Sequence, residues 1–391
     1  MKVFQINTVC GTGSTGKIAV DLAGELKNNG HSSVIAFGRG EAKNWNNTYR
    51  ITTPLQNKMH AVYTRITDKH ALCNTKATKK LIAKIKSENP NIVHLHNLHG
   101  YYLNAKSLFE FLADYNKPVV WTLHDCWSFT GHCAYFDFVD CKKWRTGCYK
   151  CPQKKTYPKS VFLDNSKGNY KWKKSFFTAI SNLTIVTPSN WLKNLVQQSF
   201  LQDYPIKVIN NGIDLNVFKP TKSDFRKRYN LQNKIIVLGV ANVWEKRKGI
   251  EDFIKLSKTL SNDYKIALVG TNKKQIKLLP KNILAIPSTA NVKELVEIYS
   301  ASDMLVNPTY EDNYPTVNLE ALACGIPVIT YNTGGSVESV VKDNVCLNGD
   351  IDMLKSIITR IALKEKESMD VLQFSKQYMV EKYLKLYENV L

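Results

Sequence analysis

The residues with the clearest chemical potential lie in one run, VNPTYEDNYPTVNLEALACGIPVITYNTGGSVE, residues 306–338. Three of its carboxylates, Glu311, Asp312 and Glu320, lie close together in sequence, with Asn313 beside them. Carboxylates placed in this way could accept hydrogen bonds from the vicinal hydroxyls of a sugar. Thr316 is set to open a helix, and Thr333-Gly334-Gly335 forms a glycine turn; both offer backbone N–H groups, which suit an anion such as a pyrophosphate. Upstream, ANVWEKRKG brings the adjacent cations Arg247 and Lys248, followed at once by a glycine. The blander account is that the acids favour helix N-termini, a term of about 0.3–1 kcal/mol each, and that the two cations are surface charge.

These residues must be positioned by alternating strands and helices. A short apolar strand, Asp303 to Asn307, breaks at Pro308. A helix from Thr316 has an apolar side at Val317, Leu319, Ala321 and Leu322. Gly325 and Pro327 stop it, IPVIT reads as the next buried strand, and a further helix is expected near Val337. Two consecutive strand–loop–helix steps put both loops at the carboxyl ends of parallel strands, where open α/β sheets hold their ligands.

The amino-terminal half carries other candidates. After the strand Lys2–Ile6, CGTGSTGK satisfies G-x-G-x-x-G at Gly11, Gly13 and Gly16 and comes one residue short of a phosphate-binding P-loop, Ile18 standing where Ser or Thr would hold magnesium. The second strand ends in Arg39 rather than an acid, so a ribose clamp for a dinucleotide is missing as well. What remains is a glycine turn that lets backbone approach a ligand. His94, His96 and His99 suggest a metal only weakly, because His94 and His96 share one face of a strand while His99 falls in the loop beyond. Cys133, Cys141, Cys148 and Cys151 crowd into nineteen positions and end in C-x2-C. In a reducing compartment clustered thiols point to a structural zinc, with Cys126 or His132 as substitute ligands; free or paired thiols are the alternative.

At 391 residues with 43% hydrophobic content the chain is expected to fold as two ordinary domains. No apolar run approaches the ~20 residues that cross a bilayer, and the amino terminus reads as a first strand, so a cytoplasmic protein is expected. The formal charge of +21 is uneven: residues 1–200 hold 28 Lys and Arg against 11 Asp and Glu, a net of +17. A basic half implies an anionic partner. No nucleic-acid-binding motif accompanies it, so nucleic acid is not expected. The lysines at 76, 79, 80, 84 and 86, interleaved with Leu81, Ile82 and Ile85, could lie on anionic lipid or form a solvated helix flank. Lys171 to Phe177 forms a second basic-aromatic cluster, for which a core-facing stripe competes with an interfacial one.

The acid-x7-acid spacing followed by ALACGIPV resembles the donor-binding segment of retaining glycosyltransferases of family 4. NNGIDLNVF (residues 210–218) is similar to the family's interdomain segment, and TLHD with the TGHC…C…GC..CP block resembles a subgroup that builds exopolysaccharides, the colanic-acid type among them. The resemblance covers nearly the whole chain. It implies a GT-B fold: two tandem Rossmann-like α/β domains facing a cleft, over 1–204 and 205–372, with the Cys-rich insertion at 126–152 and a helix at 373–391 crossing back to the first domain. It implies transfer of a sugar, with retention, from a UDP- or GDP-linked donor to a glycan acceptor, lipid-linked and presented at the anionic inner membrane surface. No cofactor is then needed for catalysis. His124 would touch the donor near its reacting sugar with Asp125 orienting it, Gly13 would face the cleft, and Lys248 and Arg247 would neutralise the pyrophosphate. Glu320 would hold the ribose, and Glu311 or Asp312 the sugar. A nucleotide-sugar epimerase of the same fold and a non-catalytic binding protein are the rival expectations.

Overall fold

The computed structural model describes residues 1–364 and 370–391. The chain forms two compact units, Met1–Asn210 with Met379–Leu391, and Asn211–Tyr378.

Unit 1 is built on β1 (Lys2–Asn7), β2 (Ser32–Phe37), β3 (Thr48–Arg50), β4 (Ile92–Leu95), β5 (Val119–Thr122), β6 (Leu183–Thr187) and β7 (Ile206–Val208). All pair in parallel in the order β3-β2-β1-β4-β5-β6-β7. Five of these strands are buried along nearly their whole length because helices cover both sheet faces. The helices are α1 (Gly13–Asn28), α2 (Pro54–Thr67), α3 (Thr75–Glu88), α4 (Ala105–Asp114), α5 (Ser166–Phe177) and α6 (Asn190–Val196). Val3, Ile18, Leu22, Ile92 and Val120 pack against Met379, Val380, Tyr383 and Tyr387 from the carboxyl-terminal residues, which is why those residues belong to this unit. The order reverses between β1 and β4, so the ligand-binding crevice of such a sheet lies at their carboxyl ends.

Unit 2 repeats the plan with α7 (Phe225–Arg228), β8 (Ile235–Val240), α8 (Ile250–Leu256), β9 (Tyr264–Val269), α9 (Lys273–Leu278), β10 (Ile283–Ile286), α10 (Val292–Ala301), β11 (Met304–Asn307), α11 (Thr316–Ala323), β12 (Val328–Tyr331), β13 (Val345–Cys346) and α12 (Ile351–Ala362). The parallel order is β10-β9-β8-β11-β12-β13, with its switch point between β8 and β11. α13 (Lys376–Val390) starts in this unit, where Lys376 pairs with Asp214 at 2.8 Å, and ends in unit 1.

Several sequence expectations shift. The boundary falls at 210/211 rather than 204/205, because β7 hydrogen-bonds to β6 and extends the first sheet. The element near Val337 is a single 3-10 turn, Ser336–Ser339. α3 buries Ala77, Leu81 and Ile85, its apolar residues facing inward as in an ordinary surface helix. The cluster at 171–177 is core-facing: Phe177 and Lys173 are buried, and Trp172 and Phe176 pack against the core.

Candidate active site

In unit 2 the strand ends at the switch point carry the charged residues. After β8 the chain makes a 3-10 turn, Lys246–Lys248, closed by Gly249 at φ +73°. A Cβ at Gly249 would stand 2.2 Å from the Pro308 carbonyl oxygen, so only glycine lets this turn sit against the end of β11. Lys248 Nζ then donates to Asp312 Oδ2 at 2.5 Å, both side chains largely shielded from solvent. Arg247 lies alongside, its Nε donating to Glu245 at 3.1 Å and its Nη1 to the Glu311 carbonyl at 3.3 Å. The loop is tied further by the Tyr310 amide, which donates to the Arg247 carbonyl at 2.7 Å.

The glycine turn after β12 meets the same loop. Gly334 has φ +55°, and a Cβ there would lie 1.9 Å from the Asp312 carbonyl oxygen; the Gly335 amide donates to that oxygen at 3.3 Å. Lys248, Asp312, Gly334 and Gly335 therefore form one constellation. Of the two candidate first acids, the Asp312 carboxylate is the one ion-paired with Lys248, while the Glu311 and Asn313 side chains are buried in the loop. Thr316 opens α11 behind Pro315, whose lack of a side-chain cap leaves the helix start to backbone groups. One turn on, Glu320 Oε2 accepts from Tyr299 Oη of α10 at 3.0 Å, which fixes the carboxylate's orientation.

Two supporting residues escaped sequence reasoning. Asn318, fully buried on α11, accepts from Asn307 Nδ2 at 2.9 Å and donates to Ser336 Oγ (3.2 Å) and Ser339 Oγ (3.1 Å). It ties the end of β11, the Glu320 helix and the turn after Gly335 into one body. Asp252 of α8 accepts from Tyr310 (2.6 Å) and Tyr331 (3.2 Å), holding the ends of β11 and β12. Neither stands in a recognisable motif; only the Thr-Val-Asn spacing at the start of α11 hints that a polar residue occupies an inward-facing position.

In unit 1 the histidines gather after β4 and β5. His124 Nε2 is 3.2 Å from His96 Nδ1, and His96 Nε2 is 3.0 Å from Gln5 Oε1. Burial holds the His124 imidazole down to about 4, against the opposing charge of Asp125, so it is neutral at physiological pH. Asp125 was expected to orient His124. Its Oδ2 instead bonds His99 Nε2 at 2.7 Å, and His99 Nδ1 reaches Tyr157 Oη at 2.8 Å. Burial alone would raise the Asp125 carboxyl, but the charge of His99 and its hydrogen bond, with the Trp127 amide, keep it below its ordinary value. Gly13 begins α1 at φ +62° with open space where a Cβ would point, and it is exposed.

The sequence profile described as Glycosyltransferase Family 4 matches residues 15–217, just over half of the chain. The chain belongs to glycosyltransferase family 4. The profile described as Glycosyl transferases group 1 matches residues 221–377, so both halves of this family-4 enzyme are accounted for. The chain is 25% identical over 415 residues, and over the full length of both chains, to the putative colanic acid biosynthesis glycosyl transferase WcaC of Escherichia coli. It is 29% identical over 213 residues to N,N'-diacetylbacillosaminyl-diphospho-undecaprenol alpha-1,3-N-acetylgalactosaminyltransferase of Campylobacter jejuni, covering 49% of this chain and 56% of that one. Among solved structures, sucrose-phosphate synthase of Thermosynechococcus elongatus superposes with TM-score 0.72 at 16% identity, covering 100% of this chain and 99% of the other. HepE of Anabaena, solved with UDP and glucose, gives 0.67 at 14%, covering 99% of each. The fold of the family-4 chain is GT-B, and it is a glycosyltransferase.

The Cys-rich insertion of this family-4 enzyme places Cys133, Cys141, Cys148 and Cys151 on the wall of one narrow cavity of about 10 Å³, together with His132 and Trp144. All four are unbridged thiols. The Gly131 amide donates to Cys148 Sγ at 3.1 Å. A hydrogen bond from Cys133 brings the Cys151 thiol down to about 7, while Cys133 is pushed well up. Lys173 is buried beside them, its Nζ donating to the carbonyls of Trp127 (2.6 Å) and Thr130 (3.0 Å). The donor set suits zinc. Among the described residues, however, no three His, Cys, Asp or Glu side chains stand in a metal-holding arrangement, so coordination would require thiol rotamer changes.

Proposed function

We propose that the enzyme transfers a sugar from a UDP- or GDP-linked donor, with retention at the anomeric carbon, to a lipid-linked glycan of a surface polysaccharide. The observation that carries this is the Lys248–Asp312 pair at the β8/β11 switch point, directly against the Gly334-Gly335 turn. A nucleoside diphosphate leaving group develops negative charge as its bond to the sugar breaks. Lys248, Arg247, the amides at the start of α11 and those of the glycine turn offset that charge from fixed positions, where preorganisation makes them most effective. With the leaving group met in this way, the proposed transfer needs no catalytic metal or cofactor.

Asp312 takes the donor sugar's hydroxyls, with Glu311 shaping the loop beneath it, and Asn313 completes that loop. Glu320, oriented by Tyr299, accepts from the ribose hydroxyls. His124 is held neutral by burial, so it serves the donor sugar as a hydrogen-bonding group and not as a fixed cation, and Gly13 leaves room for ligand at the mouth of α1. The base and the acceptor class are supported by likeness: HepE is solved with UDP, and the Campylobacter relative is named for a diphospho-undecaprenol acceptor. The excess of basic residues in 1–200 suits a polyanionic acceptor at a membrane. We also propose that Cys133, Cys141, Cys148 and Cys151 hold a structural zinc. Its support is the shared cavity and the N–H···S bond.

The test is nucleotide release from UDP- and GDP-sugars with and without membrane lipid extract. Acceptor-dependent release is expected, unaffected by EDTA, and Glu320→Ala should lower it by roughly ten- to a hundredfold through loss of a charge-assisted hydrogen bond while the protein stays folded. Donor conversion without any acceptor would favour an epimerase, and binding without release a non-catalytic protein.

A further inference from the structure

α2 is built inside out. Its buried residues are polar, His60 and Thr64, and Asn57 on the same side donates to the Gly38 carbonyl at 2.9 Å. Its outward face is apolar: Leu55 and Met59 are 66% and 64% exposed, and Val62, Tyr63 and Ile66 are exposed as well. On an ideal helix Leu55, Met59, Val62 and Ile66 fall within an arc of roughly 60°, with Tyr63 on one flank and Lys58 and Arg65 on the other. A surface helix of a soluble domain ordinarily shows the reverse.

A second segment continues the patch. The Val161 amide donates to the Arg65 carbonyl at 2.7 Å, and the Leu163 amide to the Ile66 carbonyl at 3.2 Å. These bonds lay Val161, Phe162 and Leu163 beside the end of α2, all three exposed and Phe162 by 69%. The patch is fixed in shape. Thr53 and Gln56 form a reciprocal capping box at the start of α2 with Pro54 in the first turn, and Asp68 ends the helix in the left-handed region. Asp68 is buried, its carboxylate bonded to His132 and to the Asn165 amide. The exposed charges around the patch are mainly basic, with Lys58, Arg65, Lys69, Lys155 and Lys159 and the half-buried Lys154 set against one exposed acid, Asp164, which follows Leu163; Asp68 is buried.

We infer that α2 and residues 161–163 dock the enzyme onto an anionic phospholipid bilayer, the apolar face entering the interface and the lysines meeting the headgroups. The charge decides for lipid over a second copy of the chain, because two such faces would bring like-charged rims together, whereas anionic headgroups attract each basic residue. It deepens the reading of a membrane-held acceptor, and it moves the contact away from the lysine-rich α3.

Flotation of the full-length protein with vesicles of phosphatidylethanolamine and phosphatidylglycerol tests this. The wild type should float with these vesicles and far less with phosphatidylcholine alone. Met59→Glu combined with Val62→Glu, and separately Phe162→Ser, should each weaken binding by roughly tenfold or more, with circular dichroism and nucleotide release in the presence of a water-soluble acceptor unchanged. Equal flotation of wild type and both variants, or no flotation of the wild type, would overturn the inference. So would a concentration-dependent dimer abolished by the Met59→Glu/Val62→Glu variant in protein that ignores vesicles. Vesicle binding lost in the variants of a protein with no transferase activity would keep the membrane face and remove the transferase reading.

Discussion

The two units share one sheet plan and use it with different chemistry. Unit 1 contains all eight histidines and seven of the nine cysteines, while unit 2 contains none of the former and only Cys324 and Cys346 of the latter. At the switch point of unit 2 the groups are charged and backbone-based: the Lys248–Asp312 pair, the Gly334-Gly335 turn and the start of α11. At the strand ends of unit 1 they are mostly buried imidazoles bonded to one another and to amides and phenols. A diphosphate needs fixed positive charge and N–H donors, which unit 2 supplies. In unit 1 burial keeps imidazoles such as His94, His96 and His124 unprotonated and so leaves neutral hydrogen-bonding groups. One architecture therefore presents charged groups in one unit and neutral ones in the other, because burial, not fold, sets the charge of its polar groups.

Breaking the comparison is most drastic at the Cys-rich insertion. Elemental analysis should find about one zinc per chain, and its removal by a strong chelator should destabilise unit 1 while sparing unit 2, since a structural zinc contributes on the order of 10 kcal/mol. Metal-free protein of unchanged stability would refute the zinc proposal.

A smaller effect comes from acid. In the folded chain burial lowers the imidazoles of His60 to about 4 and His94 to about 3, against about 6.5 in unfolded chains. Between those values the unfolded chain binds protons that the native one refuses. Stability is thus complete above about pH 6.5 and is lost as pH falls towards 4, by on the order of 2 kcal/mol for each such histidine near pH 5. Six of the seven tryptophans lie in unit 1. Their fluorescence should report a melting temperature that drops on acidification more than that of the amide signal shared by both units; coincident drops would contradict the assignment.

How much of this was legible beforehand follows from the range of the interactions. The run at 306–338 could be read because its strand ends, helix start and glycine turn are local features, and β11, α11 and β12 stand where their apolar periods put them. The three-residue β3 and β7 and the two-residue β13 are too short to show a period, so the end of the first unit was placed early. Pairings across long separations were invisible: His99 with Asp125, Tyr299 with Glu320, and Asn318 with Ser336 and Ser339 depend on which elements the sheet brings together. The outward apolar face of α2 could not be read for another reason. Its apolar residues have helical spacing, and spacing alone does not say which face turns inward.

The central claim is that the nucleotide diphosphate is gripped by unit 2 at the Lys248 constellation. Calorimetric titration of UDP into the wild type, Lys248→Ala and His124→Ala proteins tests it most directly, with GDP run in parallel. Lys248→Ala should weaken binding of the preferred nucleotide by roughly ten- to a hundredfold, the loss of a charge-assisted contact, while His124→Ala, proposed to act on the donor sugar alone, should bind it as the wild type does and still lose turnover. Undiminished affinity in Lys248→Ala would contradict the account.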